Sequence, residues 1–113
     1  MSDTIEIGPV AGTWVVRAGG AVLGESARAL ELREEGYPPV IYFPREDIAM
    51  EFLDRSDTVT GSPVKGSATH FHIIAKSGAI ADAAWSYEAP LDGLGEIAGH
   101  LAFYPAKVEV EEV

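Results

Sequence analysis

Between Ser56 and Gly66 the chain reads Ser-Asp-Thr-Val-Thr-Gly-Ser-Pro-Val-Lys-Gly, the most polar stretch away from the termini. Lys65 is its lone cation and stands just after two hydroxyl residues, Thr60 and Ser62. An ammonium in such a place can bind an anion, or act as a base if burial lowers its pKa. Gly61, Pro63 and Gly66 predict a loop, and loops held on a rigid β scaffold are where ligands are commonly met. Ser56, Asp57, Thr60 and Lys65 are therefore candidate ligand-binding residues. The structural alternative is that Asp57 and Thr60 satisfy loop backbone groups while Lys65 pairs with Asp57 or Asp47. The glycine spacing does not match a P-loop, so phosphate cradling has no specific support.

Two further groups could contribute. Arg45 and Asp47 follow an apolar run; the guanidinium fork suits a carboxylate, whereas an aspartate at a helix entrance serves equally well as a cap. Trp85 and Tyr87 flank Ser86, so on a strand both rings project from one face. They can floor a binding pocket or belong to a core or subunit interface. Tyr42, Phe103 and Tyr104 carry the same ambiguity. His70 and His72 also alternate, and with His100 they would make a three-imidazole set for zinc or iron. The acidic ligand such a cupin-like pattern needs is missing, because Ala75-Lys76-Ser77 follows instead. No metal and no cofactor is expected.

The elements that would hold these residues are mostly strands. Thr13 to Ala18 and Ala21 to Gly24 enclose Gly19-Gly20, which predicts a hairpin with a tight primed turn. Ala29 to Glu34 alternates apolar and charged residues, with Leu30 and Leu32 on one face. Val40 to Phe43 is β-branched and aromatic. Pro44-Arg45-Glu46-Asp47 reads as a helix entrance, followed by a short helix burying Ile48, Phe52 and Leu53. Ala68 to Ala75 and Ile80 to Tyr87 are strands with Gly78 in the turn between them. Pro90 to Gly99 allows only a short or broken helix, and Leu101 to Tyr104 and Val108 to Val110 close the chain as strands. Short strands with turn signals and no βαβ alternation predict a mainly β fold with one or two short helices.

Composition narrows the function classes. With 113 residues the chain is expected to form one domain, 1–113. Lys and Arg number 8 against 18 Asp and Glu, a formal charge of −10, which repels nucleic-acid phosphates and anionic membrane surfaces. There is no cysteine, so disulfides, thiol nucleophiles and cysteine-bound metals are excluded. No apolar run is long enough to span a bilayer, and the N-terminal residues lack a signal-peptide pattern, so a cytoplasmic location is expected.

One order of residues goes beyond composition. Ser26, Leu30-Glu31-Leu32, Tyr37-Pro38-Pro39, Tyr42, Pro44-Arg45, Asp47 and Leu53 lead into Ser56-Asp57, Thr60, Pro63 and Lys65-Gly66. Trp85-Ser86-Tyr87, Pro90, Ile97-Ala98-Gly99-His100 and Phe103-Tyr104-Pro105 complete it. In that order they resemble the DUF427 family of small bacterial and fungal proteins, over almost the whole chain. The resemblance implies a β-tent, or Mss4-like, architecture in which curved antiparallel sheets meet over a shared core. Relatives often place a cysteine between the threonine and proline of the central motif, where this chain has Ser62. A nucleotidyltransferase activity attached to the family would need a glycine-serine loop followed by a spaced aspartate pair, and this sequence has neither.

Two functional readings stay open. In the first, a small polar or anionic molecule binds in a pocket lined by the Ser56–Gly66 loop and the strand aromatics. In the second, the protein is a non-enzymatic homodimeric or protein-interaction module. A histidine-ligated metal site is the remote third.

Overall fold

The computed structural model describes residues 5–113. Ten strands form three antiparallel sheets: β1 (Ile5–Pro9), β2 (Trp14–Ala18), β3 (Ala21–Ser26), β4 (Leu30–Glu34), β5 (Val40–Tyr42), β6 (Leu53–Ser62), β7 (Gly66–Ala75), β8 (Gly78–Ser86), β9 (Ala102–Phe103) and β10 (Glu109–Glu112). The sheet orders are β1-β4-β5, β10-β2-β3 and β6-β7-β8-β9. The mainly β expectation is met. The helical parts among the described residues are 3-10 turns at Arg45–Asp47, Met50–Phe52 and Gly95–Ile97. None of the helices is long and apolar enough to cross a membrane.

The first hairpin forms as the glycine pair dictates. Gly19 and Gly20 both take positive φ, 57° and 82°, and Ala18 pairs with Ala21 across them. A primed two-residue turn needs that geometry, because its twist matches the flanking strands.

The helix expected after Pro44 does not form. Two 3-10 turns are separated by Ile48 in extended conformation, where it bridges Gly24 of β3 and Ala49 N–H donates to Leu23 O at 2.8 Å. Sheet-edge hydrogen bonding thus wins over the helical i,i+4 stripe. Ile48 and Leu53 are buried as expected, but Phe52 is exposed. Gly24 makes the bridge sterically feasible, since a Cβ there would lie 2.6 Å from Asp47 O.

The predicted Ser56–Gly66 loop is also corrected. β6 continues to Ser62 and β7 begins at Gly66, leaving only Pro63-Val64-Lys65 as the turn. The polar residues are tolerated because β6 is the edge of its sheet, and the register slips between Arg55 and Val59. An edge strand with a bulge loses the clean alternation that marks a strand in sequence.

β5 divides the interior. Tyr42 joins one apolar cluster with Leu32, Tyr87 and Ile97, while Ile41 and Phe43 join the other with Val16, Ile73 and Leu101. Alternation along a strand sends neighbouring side chains to opposite faces, so this short strand feeds both cores.

Candidate functional site

A cavity of about 1220 Å³ runs along β5 and reaches both of its faces. It touches β4, the link from Glu35 to Pro39, the β6–β7 turn, β8 and the segment from Phe103 to Pro105. A recess of that size exceeds the roughly 300–1,000 Å³ typical of small-molecule sites.

On the Tyr42 face the wall is aromatic. Tyr42 is almost fully buried, and its hydroxyl accepts a hydrogen bond from Trp85 Nε1 at 3.3 Å. The Tyr42 and Trp85 rings meet edge to face at 6.3 Å, and Tyr104 lies against Trp85 with centroids 4.5 Å apart. Burial pushes the Tyr42 phenol far above its ordinary pKa and raises Tyr87 and Tyr104 as well. All three stay neutral at neutral pH.

One ion pair is set into this wall. Lys65 Nζ donates to Glu34 Oε1 at 2.7 Å, and the two side chains are only 15% and 18% exposed. Glu34 reaches the cavity because it follows Leu32 by two residues on β4, on the same face. Lys65 is held by its turn: Ser62 Oγ accepts from Val64 N–H and Lys65 N–H, and Lys65 O accepts from Leu91 N–H at 3.1 Å. Ser62 is thus a hydroxyl cap on the turn that presents Lys65.

Thr60, in the cavity lining, has its Oγ1 2.9 Å from His70 Nε2, and the His70 ring stacks on Tyr104 at 6.1 Å. His70 is buried, which lowers its pKa, and its Nδ1 has no hydrogen-bond partner among the described residues. A neutral imidazole can both accept and donate at this position. The unfolded chain takes up a proton near the ordinary imidazole value of about 6.5, whereas folded His70 resists it. His70 therefore favours folding above about pH 6.5, and that contribution is lost as pH falls below it toward the lowered folded value. Melting temperature is expected to drop more steeply between about pH 7.5 and pH 5.5 in the native protein than in His70→Phe. Equal slopes would show that His70 does not carry the linkage.

The structure brings together four of the eight residues expected at a ligand site: Thr60, Lys65, Trp85 and Tyr87 line the cavity. The other four lie elsewhere. Arg45 donates to Gly99 O at 2.8 Å, pairs with Glu88 and packs over the Phe71 ring. Asp47 accepts from Ser26 Oγ at 2.7 Å and faces Arg28, so neither member of this pair joins the cavity. Ser56 is buried and accepts from Thr58 N–H, and Asp57 is exposed. Hydrogen bonds from Ser56 and Thr58 hold the Asp82 carboxyl below its usual pKa. Lys65 pairs with neither Asp57 nor Asp47, the partners considered from sequence, but with Glu34.

The three histidines each have separate partners. His72 Nδ1 accepts from Asp82 N–H at 3.1 Å, His70 faces Thr60, and His100 lies beside Ala98 O. Among the described residues no three or more His, Asp or Glu side chains are grouped to hold a metal ion. Of the cavity aromatics read from sequence as pocket or core, Tyr42 and Tyr104 line the cavity; Glu34 lines it too and had no ligand role from sequence. For Glu34 a signal existed, since a carboxylate in phase with Leu30 and Leu32 must sit on the apolar face of its strand.

A family model described as a domain of unknown function, DUF427, matches residues 6–113. None of the curated proteins compared with the chain matches it.

Proposed function

The chain belongs to the DUF427 family, and we propose that this member binds a small polar organic molecule in the cavity along β5. The observation that carries the reading is the Lys65–Glu34 pair, set largely out of water in a cavity lining shared with Trp85, with the Glu34 charge felt by Tyr42 and Tyr87. Withdrawing two charges from water costs several kcal/mol per ion before their attraction is counted, and a well-packed apolar pair would often be as stable. A paired charge in the wall of an open recess is accounted for if a guest uses it.

The interaction-module reading has less support in this geometry. It rested on exposed strand edges and on aromatics, and of those aromatics Trp85 and Tyr87 line the cavity, with Tyr87 only 7% exposed. A thermal-shift screen of small polar metabolites is expected to yield hits on the native protein. Trp85→Ala is expected to weaken those hits by roughly 30-fold, since a buried aromatic contact is commonly worth about 2 kcal/mol or more. A screen without hits, or hits indifferent to Trp85→Ala, would overturn the reading.

A further inference from the structure

The charges around the cavity select among guests. Among the described residues Lys65 is the only Lys or Arg lining it, and Glu34 already engages its ammonium at 2.7 Å. Glu31, Glu34 and Glu35 also line it, so the formal charge of the lining is 1 − 3 = −2. Glu31 contacts Arg33, but that guanidinium is exposed and does not line the cavity. The chain as a whole carries −10, which raises the local concentration of cations at any recess.

The aromatic lining favours the same sign. Tyr42, Tyr87, Trp85 and Tyr104 wall one side and Trp14 lies on the other. Aromatic faces attract ammonium groups through the ring quadrupole, most strongly where water is thin. An anion would have to displace Glu34 from Lys65 and then sit beside the released carboxylate. A cation meets Glu34 and the rings without breaking the pair, because a carboxylate accepts several hydrogen bonds at once.

We infer that the guest is an organic ammonium cation, an amine-bearing molecule with an apolar or aromatic body. This rests on the binding role proposed for the cavity. The ammonium sits between Glu34 and the ring faces, and the body fills the apolar length along β5. Glu35, exposed beside the cavity, adds attraction during entry.

The test compares three naphthalene probes that differ in one group: naphthylmethylamine, naphthylmethanol and naphthoate, titrated by calorimetry against the intact chain. The amine is expected to bind about tenfold more tightly than the alcohol, and the carboxylate weakest of all. The amine's advantage should shrink as salt rises, since it is electrostatic. Glu34→Gln is expected to remove most of it. Should that variant lose its fold, Glu34→Gln combined with Lys65→Met, which leaves no unpaired charge, is expected to show the same loss. An undiminished preference in either would overturn the inference. If the alcohol or carboxylate matches the amine, the inference fails while the binding role stands. If none of the three binds, the binding role fails with it.

Discussion

Phe43→Ala is expected to lower the free energy of unfolding by about 3–5 kcal/mol, the usual cost of emptying a buried phenylalanine site. Phe43 is fully buried, and its ring meets Phe103 edge to face at 5.8 Å. Its backbone is committed as well: Phe43 N–H donates to Leu101 O at 2.8 Å, and Leu101 N–H donates back at 2.9 Å. That bridge ties the end of β5 to the segment leading into β9 and joins two sheets. Small domains have only about 5–15 kcal/mol in hand, so the loss should lower the melting temperature by more than about 12 °C. The exposed Phe52 is the control; Phe52→Ala should change stability by well under 1 kcal/mol. Chemical denaturation of both variants measures the difference. A Phe43→Ala loss below 1 kcal/mol would mean that the two cores are not coupled through this residue.

What the sequence disclosed about this coupling is instructive. Val40 to Phe43 was readable as a strand from its β-branched and aromatic residues, and the alternation that splits Tyr42 from Phe43 is intrinsic to strands. The glycine pair at 19 and 20 announced its hairpin because the turn leaves few alternatives. The stretch after Pro44 misled, because Ile48, Phe52 and Leu53 have helical spacing, while Ile48 bridges Gly24 of β3, Ala49 N–H donates to Leu23 O and Leu53 pairs with Ile73 of β7. Only the partner strand decides such a case, and its position is a tertiary fact. The Ser56–Gly66 stretch misled in the opposite sense. Its composition is that of a loop, but an edge position and a bulge let polar residues run on as β6.

The candidate site was half legible for the same reason. Lys65, Thr60, Trp85 and Tyr87 could be singled out by residue type, and they do share one cavity. Their partner Glu34 lies 31 residues before Lys65, and no local pattern links the two. Arg45 and Asp47 looked alike in promise, yet Gly99, Glu88, Ser26 and Arg28 absorb their hydrogen-bonding capacity. A charged residue's type says what it can do; the groups around it decide whether that capacity is spent.

Lys65→Met applies this distinction to the pair itself. The substitution leaves Glu34 as a lone carboxylate beside Tyr42 and Tyr87, whose phenols already feel its charge. Breaking a fully buried pair costs about 3–5 kcal/mol, and an exposed pair contributes about 0–1 kcal/mol. With side chains 15% and 18% exposed, the loss here should fall between, at about 1–3 kcal/mol. Glu34→Gln alone should be milder, since an ammonium on a long stem can turn toward water. The double variant, Glu34→Gln with Lys65→Met, should recover to within about 1 kcal/mol of the native chain, because no uncompensated charge remains. A double-mutant cycle by denaturation measures this coupling directly. If the single and double variants lose stability additively, the pair is no more than two solvated side chains. The double variant then separates architecture from use. It should fold and melt almost as the native chain does while losing the response to any guest that the native cavity takes. A pair retained only for packing would leave that response intact.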